Sequence, residues 1–113
     1  MNKPTLLLNV PDTSVPEETR SRFIALAAKW RKEVEFLSSM TQMIQNPAYQ
    51  EIIGMGPVVI PLLLQELVQE PDWWFAALQK LTGQNPVRPE QQGNLQAMAS
   101  AWLQWAKAQG YTC

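Results

Sequence analysis

The segment Gly54-Met-Gly-Pro-Val-Val-Ile-Pro-Leu-Leu-Leu-Gln-Glu-Leu-Val68 is the part of the chain that cannot face water. Gly54, Gly56 and Pro57 spell a turn. After it, Val58, Val59, Ile60, Leu62, Leu63, Leu64, Leu67 and Val68 leave almost no polar side on a helix, so that helix must be covered all round. Pro61, read in the second turn, removes an amide hydrogen and is expected to bend the axis. A buried central helix needs neighbours, and the flanking sequence supplies them as further helices.

Upstream, Asn46-Pro47 both stops one helix and starts the next. The residue before proline avoids the helical region, while Asn caps and Pro suits the first helical position. A short helix over Pro47–Ile53 follows. Before it, Phe23, Trp30, Leu37 and Ile44 recur at seven-residue intervals, with Ala27 and Val34 between them. This stripe predicts a long first helix from Ser14 to Gln45, roughly 45 Å at 1.5 Å per residue. Ser38, Ser39 and Thr41 are weak helix formers and mark the place for a break. Ser14 and Glu17 have capping-box spacing, Pro16 sits in the first turn, and Glu17 and Glu18 suit the positive end of the helix dipole. Residues 1–13 read as an extended arm, in which Pro4 and Pro11 bracket an apolar run.

Downstream, Pro71-Asp72 is expected to open a helix of about ten residues that Gly83 closes in the left-handed conformation. A polar loop from Gly83 to Gly93 leads to a last helix, capped by Asn94 and ended by Gly110. Leu95, Met98, Trp102, Trp105 and Ala106 form its apolar stripe. No internal repeat, low-complexity tract or long linker divides the chain, so residues 14–113 read as a single helical domain.

Two resemblances attach to these residues. Asn46-Pro-Ala-Tyr-Gln-Glu-Ile-Ile-Gly-Met-Gly-Pro57, Pro61–Leu67, Pro71-Asp-Trp-Trp-Phe75, Leu81-Thr-Gly83, Asn85-Pro-Val87 and Ala101-Trp-Leu-Gln-Trp105 together resemble a family of small bacterial helical proteins, over residues 30–111. That resemblance implies no activity. Its members often carry histidine at the positions of Asn46 and Trp73, tryptophan at Ala76 and glycine at Ala106, so any histidine site is lost in this chain. Ile53–Gly83 looks like one HEAT-type helix pair, whose exposed faces the flanking helices would have to cover. The expected fold is therefore all-α: a compact bundle of about five helices, with a long first helix, a HEAT-like central pair and an extended N-terminal arm.

With 113 residues, 46% of them apolar and only 17% charged, the chain can build its own core. The formal net charge of -1 provides no field to draw it to phosphate or anionic lipid. Arg20, Arg22, Lys29, Arg31 and Lys32 scatter around one helix among Glu17, Glu18, Glu33 and Glu35, which reads as a solvated mixed face. A nucleic-acid role through helix one or the Lys80–Arg88 loop is thereby disfavoured. No run reaches the roughly 20 apolar residues of a membrane span. The Thr5–Leu8 run is short for a signal peptide, so a cytoplasmic location is expected. Cys113, the one cysteine, allows no internal disulfide.

The chain has no histidine, which removes the commonest general base and metal ligand together. The expectation is a protein without catalytic residues, cofactor or metal. Its candidate site is a partner-binding surface. Trp73, Trp74 and Phe75, consecutive on a helix, would point about 100° apart and cannot share one core face. Glu66 and Glu70, one turn apart and near Asp72, offer an acidic docking patch. The preferred reading is a protein-interaction module that self-associates as a dimer or binds a partner protein, with an antitoxin- or immunity-like role within that class. The alternative is a small apolar ligand held in a cleft between the central and last helices, with Tyr49 or Trp102 as polar handle.

Overall fold

The computed structural model describes residues 15–111, which form six α-helices and no strand. They are α1 (Glu17–Val34), α2 (Met40–Gln45), α3 (Pro47–Gly54), α4 (Ile60–Gln69), α5 (Phe75–Thr82) and α6 (Leu95–Ala108), with 3-10 turns at Pro57–Val59 and Pro89–Gln91. The all-α expectation holds. The arm over residues 1–13, Ser14 and Cys113 lie outside the described residues.

The first helix divides in two. Phe23, Ala27, Trp30 and Val34 do form its buried stripe, but α1 stops at Val34 and α2 starts only at Met40. Two local hydrogen bonds account for the break. The Leu37 N–H donates to the Val34 carbonyl at 2.9 Å, and the Ser39 hydroxyl accepts the Gln42 N–H at 3.3 Å from an extended backbone. A serine that caps a new helix cannot also continue the old one. Leu37, expected in the core, is consequently left at the surface.

Asn46 behaves as its sequence predicts, its side chain accepting the Ala48 N–H at 2.8 Å with Pro47 in the first turn of α3. Its amide also donates to Glu33 at 3.0 Å and ties this corner to α1. Between α3 and the segment Pro57–Gln69 the axis turns by 104°. The turn needs Gly56, whose φ of 87° is open to glycine at little cost. Pro61 does not kink α4. The preceding 3-10 turn places it at the start of the helix, where no intrahelical amide bond is due.

Ile60, Leu62, Leu63, Leu64 and Leu67 of α4 are buried, as their all-round apolarity requires. α6 supplies the broadest cover, more than α5, the helix that follows α4 in sequence. On the far side α1 packs along α3. Trp30, Trp74 and Trp102 are fully buried, and each such ring removes on the order of 200 Å² from water, about 5 kcal/mol of gross transfer energy. The described residues measure 46 × 30 × 22 Å, and no single helix among them is long and apolar enough to cross a membrane.

Candidate functional site

The site is built around an aromatic cluster that the sequence scatters over three elements. Trp74 lies 4.5 Å from Trp30 and 5.4 Å from Tyr49, centroid to centroid, stacked on the latter at 11°, with Phe23 at 6.1 Å. Two polar tips anchor the cluster to its surroundings. The Trp30 indole donates to the Met43 carbonyl at 2.8 Å, holding α2 against α1. The Tyr49 hydroxyl donates to the Trp73 carbonyl at 3.0 Å and accepts the Ala77 N–H at 3.1 Å.

The second anchor explains how α5 begins. No side chain caps it from within its own segment. Asp72, the expected cap, instead accepts the neighbouring Trp73 N–H at 2.8 Å, and its carbonyl accepts the Trp74 N–H at 2.8 Å. The helix therefore opens at Phe75, two residues later than a cap at Asp72 would give, and Tyr49 satisfies an amide of its first turn from across the core. Burial pushes the Tyr49 phenol well above its ordinary pKa, although the Ala77 N–H works in the opposite direction.

Because Trp73 and Trp74 precede the helix, the three aromatics do not fan out as helical neighbours. Trp73 and Phe75 turn to one side, in an edge-to-face pair with centroids 5.8 Å apart and planes at 81°. Trp74 turns to the other side and is 0% exposed. Trp74 is thus a core residue and leaves the candidate partner surface. Trp73 and Phe75 remain on it, half-buried and buried respectively, as part of a groove of about 550 Å³. Met40 and Ile44 of α2 form one wall, Trp73, Phe75 and Ala76 another, and Met98 of α6 lies across from them. Gln79 and Lys80 mark its polar rim.

The acidic patch is altered by the tertiary structure. Arg31 of α1 is hydrogen-bonded to Glu66, reaches Asp72 at 3.5 Å in an ion pair rather than a hydrogen bond, and stands 6.0 Å above the Trp74 ring. Burial alone would pull the Arg31 pKa down. The hydrogen bond to Glu66 and the charges of Glu66, Glu70 and Asp72 outweigh it and hold the pKa above its ordinary value. Glu66 is therefore committed internally and is not a free docking charge, whereas Glu70 stays exposed at the end of α4. Two of the five cations read as a solvated face, Arg22 and Arg31, bridge helices, the former to Glu51 at 2.6 Å.

Of the two polar handles expected for a ligand between α4 and α6, the Tyr49 hydroxyl is engaged within the core, and Trp102 is fully buried with its indole N–H unpartnered among the described residues. Among the described residues no three acidic or cysteine side chains come together to hold a metal. Met40, Ile44 and Met98 escaped the sequence reading because methionine and isoleucine on helical stripes look like core. Only the break after Val34 and the late start of α5 turn them toward a shared opening. Comparison with protein families, with curated proteins and with solved structures finds nothing that matches this chain.

Proposed function

We propose that the chain is a non-enzymatic protein-interaction module whose groove between α2, α5 and α6 receives an apolar side chain of a partner protein. One observation carries this reading: the groove of about 550 Å³ is walled by Met40, Ile44, Trp73, Phe75 and Met98. Rigid aromatics and adaptable methionines together form the kind of surface on which binding energy concentrates. Lys80 on the rim favours a partner whose apolar anchor has an acidic neighbour.

Selection from a displayed library of short random peptides tests the proposal. Recovered sequences should share an aromatic or branched apolar residue, and Ala76→Arg, which fills a half-buried position of the wall, should weaken them by about thirtyfold, the loss typical of a hot spot. Recovering no binder, or binders indifferent to Ala76→Arg in a variant that melts as the parent does, would reject it. The groove's volume also falls in the range of small-molecule sites. That second reading expects an apolar dye to bind in the groove and to lose its affinity in Ala76→Arg, while no displayed peptide is recovered.

A further inference from the structure

The groove's nearest apolar counterpart is on the same chain. Phe36 is 92% exposed, and Leu37 and Met40 are also exposed, so three large apolar residues surface within five positions. Single exposed apolar residues are ordinary, but a contiguous group marks a contact. This group runs straight into the groove, since Met40 is itself one of the wall residues. Phe36 and Leu37 belong to the connection between α1 and α2, whose internal tie is the bond from the Leu37 N–H to the Val34 carbonyl. The connection can enter a cavity without any helix being dismantled.

We infer that the groove's occupant is a second copy of this chain, the Phe36 loop of each protomer seated between Met40, Trp73 and Met98 of the other. The inference rests on the reading of the groove as a seat for an apolar side chain. Charge supports the choice of partner. Glu35 immediately precedes Phe36, Lys80 stands on the groove rim, and neither has an ion-pair partner among the described residues. Seating Phe36 brings Glu35 of one copy toward Lys80 of the other. A chain that carries both the knob and the hole side by side has a self-complementary patch, and a two-fold axis closes it with two identical insertions.

Light scattering on the 113-residue chain over a range of concentrations tests this. The parent should approach twice the 12.8 kDa of one chain and fall to that mass on dilution. Phe36→Asp and Ala76→Arg should each be monomeric, yet an equal mixture of the two should regain mass, because one intact loop meets one intact groove. Glu35→Lys and Lys80→Glu, both at exposed positions that leave folding untouched, should each weaken association roughly tenfold, and combining them in one chain should restore it. A parent that is monomeric throughout, or a dimer indifferent to Phe36→Asp and to charge exchange, overturns the inference. If selected peptides still require Ala76 in that case, only the identity of the partner falls. If they too fail, the groove reading falls with it.

Discussion

Tyr49 contributes through its oxygen as much as through its ring. Its hydroxyl bonds the Trp73 carbonyl and the Ala77 amide at once, so Tyr49→Phe leaves both buried groups unpaired at a cost of about 2 kcal/mol, measurable as a lower denaturant midpoint. The same substitution should remove a pH effect. Below the ordinary phenol pKa of 10.0 both folded and unfolded states are neutral at this position. Above it the unfolded phenol ionises while burial keeps the folded one protonated, so stability falls as pH rises past about 10. The Phe variant should lose that part of the alkaline decline. Arg31, whose pKa is raised from an already high value, stays charged throughout. Arg31→Ala should cost about 1–2 kcal/mol near neutrality after allowance for its partial exposure.

Among the elements, helix ends matter more than helix interiors. Ser39 caps α2 and so sets the position of Met40 and Ile44. Ser39→Ala should cost about 1 kcal/mol and, because the groove wall loosens, should weaken peptide binding as well as lower the melting temperature. Gly83 ends α5 at a φ of 72°, and Gly83→Ala should cost about 1 kcal/mol through the left-handed backbone, with groove binding unchanged. The two variants thus separate loss of stability from loss of the site. The Trp30 indole bond to Met43 acts in the same sense as Ser39, holding α2 in place from the core side.

For the whole molecule, the aromatic cluster of Phe23, Trp30, Tyr49 and Trp74 joins α1, α3 and the α4–α5 turn, and it fixes both walls of the groove through its polar tips. Trp74→Ala should therefore cost about 3–5 kcal/mol, read as a lower denaturant midpoint, and weaken peptide binding in the groove with it. A reciprocal dimer carries a further signature: binding to the folded state alone raises the melting temperature with protein concentration, and Phe36→Asp should make melting independent of concentration.

The all-helical class, the capping role of Asn46, the closure by Gly83 and the burial of Leu62–Leu64 follow from local chemistry, because turn preference and helical periodicity are properties of neighbouring residues. The same periodicity fails at Leu37, which is exposed, while Ile44 still packs against the core; a seven-residue stripe continues in sequence whether or not the helix does, and only the competition between Ser39 capping and helix extension decides. Trp74 entering the core while Trp73 and Phe75 face the groove depends on Tyr49, twenty-five residues away in sequence and in hydrogen-bonding reach only after folding. Likewise Glu66 and Asp72 look unneutralised along the chain until Arg31 arrives from α1. Helices were legible because their determinants are local. The groove was not, because it exists only where three separately encoded elements are brought together by buried rings.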